Sequence, residues 1–147
     1  MQTIEHAIDT LGEEFAFFHR VLQPLIDELS LPKDARILDV GTGKGRVALT
    51  LVLNGYRVIT GEPVDDHSEY AKQNWREEAE KVGATPAIGY RDLDAQQMTF
   101  EDGSFDAVFA MGAIHHMSEP ARAIAEIIRV LAPGGVAAMA GIGVPDG

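Results

Sequence analysis

Residues 36–46 read Arg36-Ile37-Leu38-Asp39-Val40-Gly41-Thr42-Gly43-Lys44-Gly45-Arg46. A short apolar strand pattern, Arg36 to Val40, runs into three glycines at alternate positions, and a helical pattern from Arg46 to Leu53 follows. Glycines at a strand-to-helix turn allow positive φ and let a ligand approach the main chain closely. The amides of the helix start face the same crevice, and in an open α/β sheet ligands bind in that crevice, beyond the strand ends. A tight turn without a ligand would also use such glycines, so the rest of the chain must decide.

Outward from this turn, strands and helices alternate. Asn54-Gly55 ends the first helix, and Tyr56 to Thr60 reads as a second strand. Asp65 and Asp66 suit the cap of a helix running to about Val82, with Gly83 just beyond. Pro86 to Tyr90 is a weaker third strand, and Phe105 to Met111 a stronger fourth, entered through a turn at Glu101-Asp102-Gly103-Ser104. Ser118 is the expected N-cap of the next helix, which should turn Ile124, Ile127, Ile128 and Leu131 inward and stop at Pro133-Gly134-Gly135. Val136 to Ile142 makes a fifth strand. Parallel neighbours need crossovers, so the alternation predicts an α/β fold: an open, mainly parallel sheet with helices on both faces.

Upstream, Ile4, Ile8, Leu11, Phe15, Phe18, Leu22 and Ile26 fall at three- and four-residue steps, which predicts helix from Thr3 to Leu29, divided or bent at Gly12 and Pro24. The expected organisation is a single domain over residues 1–147. Residues 1–33 form a helical N-terminal segment and 34–147 the α/β core.

Composition narrows the function. The 147 residues include no cysteine, which excludes disulfides, thiolate metal sites and cysteine nucleophiles. A formal net charge of −11 disfavours nucleic acid, whose binding needs cations to displace condensed counterions. Lys72, Arg76 and Lys81 offer at most a local basic face, which a solvated helix surface explains better. Glu5, Asp9, Glu13 and Glu14 stand where a signal peptide would be basic and then apolar. The least polar run, Gly134 to Val144, falls far short of the roughly 20 residues a membrane helix needs. The expectation is a cytoplasmic protein without a membrane span.

Read as a dinucleotide fingerprint, the glycine run fails, because position 46 is arginine where a third glycine belongs. Asp39-x-Gly41-x-Gly43-x-Gly45 instead resembles the first motif of class I S-adenosylmethionine-dependent methyltransferases. Four further segments agree in order and spacing. Glu62 follows the second strand and Asp92-Leu93 the third. Phe100-Glu101-Asp102-Gly103-Ser104-Phe105-Asp106-Ala107-Val108 is similar to the family's lead-in to strand four. Glu126-x-x-Arg129-Val130-Leu131-x-Pro133-Gly134-Gly135 is similar to its approach to strand five. The resemblance covers about Ile37 to Met139. Singly, Asp92 also suits a turn, Asp106 a surface carboxylate, and Glu126 with Arg129 an ordinary ion pair.

The resemblance implies a Rossmann-like sheet with strand order 3-2-1-4-5 and S-adenosyl-L-methionine as cofactor. Asp39 and the loop Gly41, Thr42, Gly43 and Gly45 would receive its methionine end. Glu62 would hold both ribose hydroxyls with Pro63 on the adenine face, a task two carboxylate oxygens suit. Asp92 and Leu93 would define the adenine edge, and Ala110 and Met111 would lie under the sulfonium. Lys44 and Arg46 are candidates to neutralise the carboxylate, or solvated cations. Methyl transfer relies mainly on alignment of the acceptor behind the methyl carbon, so a base matters only for a protonated acceptor. His115 and His116 are the candidates, with packing or loop structure as the alternative. His19 suits either the pocket wall or an aromatic cluster with Phe15, Phe17 and Phe18. Asp65-Asp66-His67 is explained better by helix capping than by a metal, and no metal site is expected.

No Asn-Pro-Pro-Tyr-like segment follows the fourth strand, and no cysteine is present to add to a pyrimidine, which leaves a small-molecule acceptor by elimination. The family's usual strands six and seven have no counterpart here, so residues 136–142 would form an open edge, suited to a homodimer. Three functions compete: a small-molecule methyltransferase, a non-catalytic or regulatory cofactor-binding subunit, and a nicotinamide-dependent oxidoreductase.

Overall fold

The structure, a computed structural model, describes residues 3–63, 74–112, 114 and 117–140. Five strands form one parallel sheet: β1 Ile37–Val40, β2 Val58–Glu62, β3 Ile88–Asp92, β4 Phe105–Met111 and β5 Leu131–Ala140, in the order β3-β2-β1-β4-β5. All four residues of β1 are buried, the expected state of a central parallel strand covered on both faces.

The helices are α1 Ile4–Leu11, α2 Glu13–Leu29, α3 Arg46–Leu53, α4 Trp75–Lys81 and α5 Pro120–Val130. Residues of α1 to α4 pack with Ile37, Val58, Ile88, Ala107 and Phe109 on one face. On the other, Ala123, Ile127 and Val130 of α5 pack on Leu38, Val40, Val108 and Ala110. Gly12, at φ 91°, separates α1 from α2 in a conformation that favours glycine, and Pro24 lies inside α2 without ending it.

Several boundaries depart from expectation. Strand β2 begins at Val58, because Tyr56 is buried with its hydroxyl donating to the Leu31 carbonyl at 2.8 Å. A 3-10 turn, Thr85–Ala87, precedes β3 and delays its start to Ile88. The fifth strand starts at Leu131, not Val136. Phe105 pairs with Leu131 and Ala107 with Val136, so Pro133-Gly134-Gly135 is absorbed as an irregularity in the ladder. Residues 141–142 lie outside the described residues, as do 64–73 of the expected long helix, including Asp65, Asp66, His67 and Lys72.

Ser118 does not cap α5. The flanking residue is Glu119, and its N–H donates to Gln96 Oε1 at 2.6 Å, with the Ser118 hydroxyl 3.2 Å from the same oxygen. Ile124 and Ile128 also face outward, 38% and 66% exposed. The helix buries Ala123, Ile127 and Val130 instead, one turn-spaced stripe displaced by one residue. Among the described residues, no helix is long and apolar enough to cross a membrane.

Candidate functional site

The carboxyl ends of β1, β2, β3 and β4 share one edge of the sheet. Val40 pairs with Gly61, Glu62 with Asp92, and Asp39 with Phe109. Sequence-distant residues therefore arrive together. Asp39 and Glu62 are buried, Leu93 and Ala110 are buried beside them in the second apolar cluster, and Met111 and Pro63 are half-buried. Asp92 ends β3 and is exposed. His115 and His116 lie outside the described residues.

Gly41, Gly43 and Gly45 take φ values of 85°, 55° and 78°, all left-handed, so the turn that sequence placed on glycine does use glycine's freedom. The Gly41 N–H donates to the Gly61 carbonyl at 3.1 Å, which fixes the loop to the end of β2. Gly45 N–H returns to the Thr42 carbonyl at 2.8 Å, and α3 starts at the next residue. A Cβ on Gly45 would lie 3.1 Å from Trp75 Cβ, so this glycine makes room for α4.

Beneath the loop runs a buried polar chain that the sequence reading missed. The Thr60 hydroxyl donates to Asp39 Oδ2 at 2.9 Å and lies 2.8 Å from the Thr42 hydroxyl. Thr60 carried one signal: a hydroxyl in an otherwise apolar strand is buried at a cost unless it is bonded. Burial pushes the Asp39 carboxyl up to about 7; the Thr60 hydrogen bond opposes the rise and the Glu62 charge adds to it. A crevice floored by two neighbouring carboxylates, one this strongly raised, favours a cation.

Tyr90 is a second residue the sequence did not single out. Its ring stacks on Trp75 at 5.3 Å with 19° between planes, and its hydroxyl is 3.5 Å from Glu62 Oε1. Burial, then the Glu62 charge, raises the Tyr90 phenol above its ordinary value, so it stays a proton donor toward Glu62. Alternation along β3 could have found it, since it sits two residues before Asp92 on the same face.

The expected cationic residues are engaged elsewhere. Lys44 Nζ lies 3.3 Å from Glu14 Oε2, Arg46 also pairs with Glu14, and its guanidinium sits 5.1 Å over the Phe18 ring. The Lys44 hydrogen bond, then the Arg46 charge, holds the Glu14 carboxyl below its usual range. These contacts fasten α2 to the glycine loop. His19 stacks on Phe15 at 6.4 Å, the aromatic-cluster alternative. Arg129 bonds Glu126 at 2.7 Å, Asp102 at 2.8 Å and the Phe100 and Met98 carbonyls, which ties the β3–β4 connection to α5. Asp106 receives Arg36 through both carboxylate oxygens. Among the described residues, no group of three acidic or histidine side chains suits a metal ion.

The fold and crevice define a Rossmann-like α/β domain with a glycine loop and buried acids at its carboxyl strand ends. The family described as methyltransferase domain matches residues 38–139, and the chain belongs to it. The chain is 30% identical over 116 residues to 27-O-demethylrifamycin SV methyltransferase of Amycolatopsis mediterranei, covering 79% of this chain and 42% of that protein. It is 36% identical over 104 residues to phosphatidylethanolamine N-methyltransferase of Cereibacter sphaeroides, covering 70% and 48%. The solved structure of the [4+2]-cyclase SpnF superposes with a TM-score of 0.70 at 30% identity, covering 82% of this chain and 43% of that one. The chain thus spans about half the length of the curated relatives it matches.

Proposed function

We propose that this domain binds S-adenosyl-L-methionine and serves methyl transfer to a small-molecule acceptor. The observation that carries the reading is the meeting, at one sheet edge, of a glycine loop in left-handed conformation and the buried carboxylates Asp39 and Glu62. These residues suit the cofactor: bare main chain for close approach, a two-oxygen acceptor for vicinal hydroxyls, and a raised acid that an ammonium or sulfonium would draw into its charged form.

The cofactor supplies an electrophilic methyl on a positively charged sulfur. Asp39, Gly41, Thr42, Gly43 and Gly45 receive the methionine end, and Glu62, held by Tyr90, accepts from the ribose hydroxyls with Pro63 against the adenine. Asp92 and Leu93 bound the adenine edge. Ala110, buried, and Met111, half-buried, would lie under the reacting centre. His115 and His116 follow β4 in sequence and are our candidates for taking a proton from the acceptor. Because Lys44 and Arg46 are held by Glu14, we assign them to fastening α2 over the loop.

Isothermal titration with S-adenosylhomocysteine tests binding, and Gly43→Val, which fills the space meant for ligand, should abolish it. Retained affinity in that variant would remove the placement. One solved structure to which the chain is similar is named a [4+2]-cyclase, so a reaction other than methyl transfer is the second reading. Formation of S-adenosylhomocysteine from the methyl donor on incubation with cell extract separates the two. Nothing in the site favours a nicotinamide cofactor.

We further propose a cytoplasmic protein that dimerises through β5, which pairs only with β4 among the described residues and exposes Met139. A monomer by light scattering at micromolar concentration would refute the dimer.

A further inference from the structure

At the opposite end of the sheet, where the strands begin, lies a cavity of about 520 Å³. Two local features open it. The connection between β3 and β4, residues 93–104, contains no helix, and Gly89, paired with Ile59 in the register, adds no side chain to the exposed sheet face. The floor and walls are apolar, with Ile59, Ala87, Ile88, Phe100 and Phe105. Phe100 and Phe105 meet edge to face at 4.8 Å.

The polar lining is cationic in a chain whose formal net charge is −11. Arg36, Arg57 and Arg91 line the cavity, against one lining carboxylate, Asp34. Arg36 is committed to Asp106, at 3.1 and 3.3 Å. The Arg91 guanidinium lies 4.8 Å over the Phe100 ring and forms no ion pair among the described residues. Arg57 is exposed and forms no ion pair among the described residues. An apolar sheet face with Arg57 and Arg91 along its rim matches a ligand that has an apolar body and anionic character. The volume falls within the roughly 300–1,000 Å³ of small-molecule pockets.

We propose that this groove is a second binding site, separate from the glycine-loop crevice, for a small amphiphilic anion. The aromatic or acyl body rests on Ile59, Phe100 and Phe105, and its carboxylate, sulfonate or phosphate is held by Arg57 and Arg91. Most of its lining, Asp34–Ile37, Arg57–Ile59 and Pro86–Gly89, lies where the strands begin, and Arg91 alone reaches toward the other end, next to Asp92.

The probe is anilinonaphthalene sulfonate, titrated by fluorescence into the full chain, with uncharged N-phenylnaphthylamine as its control. Arg57→Ala combined with Arg91→Ala should weaken the sulfonate by roughly ten-fold or more, and the naphthylamine by less than about two-fold. Gly89→Leu should weaken both by roughly ten-fold, because it fills the groove. A Cβ at Gly89 meets Ile59 Cγ1 at an ordinary 3.7 Å, and no left-handed φ forbids a side chain there, so this variant should fold and melt like the parent. Sulfonate affinity unchanged in a folded Gly89→Leu protein would overturn the proposal. Displacement of the sulfonate by an oligoglutamate peptide, with Gly89→Leu again without effect, would overturn it in favour of an acidic protein segment.

Discussion

Replacing Asp39 with asparagine should make the ligand-free protein more stable at alkaline pH while leaving it nearly unchanged in acid. The Asp39 carboxyl sits at about 7 in the folded chain against an ordinary 3.8, chiefly because it is buried. Between these values the folded state holds a proton that the unfolded state has released, so stability falls as pH rises through that window and levels off above it. Each pH unit in the window costs about 1.4 kcal/mol, which sums to on the order of 4 kcal/mol from one carboxyl. That is a large share of the roughly 5–15 kcal/mol that holds a domain of this kind together. Asparagine cannot ionise, yet its side-chain oxygen still accepts from the Thr60 hydroxyl, so the polar chain under the loop survives. Urea denaturation of both proteins from about pH 5 to about pH 8 should find the variant's advantage growing by about 3 kcal/mol and then flattening. Other titrating groups are common to both and cancel in the difference. Parallel stability curves for the two proteins would refute the reasoning.

The same protonation should govern ligand binding: affinity for S-adenosylmethionine should rise with pH toward about 7, where Asp39 ionises, and Asp39→Asn should flatten that rise in a titration series. Glu62→Ala should weaken S-adenosylhomocysteine by roughly 1.5–3 kcal/mol, the scale of hydrogen bonds to a charged group, read by calorimetry. Gly61→Ala places a Cβ 1.9 Å from the Arg91 carbonyl oxygen, so β2 and β3 must part; a loss of roughly 1–3 kcal/mol or more should appear in thermal melts. Glu14→Gln removes exposed ion pairs and should change stability by less than about 1 kcal/mol in the same melts.

What the sequence disclosed, and what it hid, follows from the range of the forces involved. Helix α3 and strand β4 fall at their expected bounds, because local pattern and tertiary packing agree there: Asn54 and Gly55 stop one, and the Glu101–Ser104 turn starts the other. The glycine loop was legible for the same reason, since positive φ is a local demand. Three of the departures are long-range. Tyr56 leaves the β2 ladder for the Leu31 carbonyl, Gln96 engages the Ser118 hydroxyl and the Glu119 N–H in place of the expected cap, and Glu14 claims Lys44 and Arg46 from a helix thirty positions upstream. The α5 stripe also shifted: Ala123, Ile127 and Val130 are buried, while Ile124 and Ile128 face solvent despite their hydrophobicity.

The candidate site divides along the same line, and its electrostatics carry the functional argument. Residue types at the strand ends were readable one by one, but the proximity of Asp39 and Glu62 exists only once β1 and β2 lie side by side. Burial of Asp39 beside the Glu62 charge makes the ligand-free fold less stable as that carboxyl ionises. A cation bound at this edge would restore the charged form of Asp39. Binding would then recover in affinity what the empty fold gives up in stability, and in Asp39→Asn both effects should vanish together. A variant that gained stability at alkaline pH yet bound S-adenosylmethionine with undiminished affinity would break that connection and leave the buried pair without a role in binding.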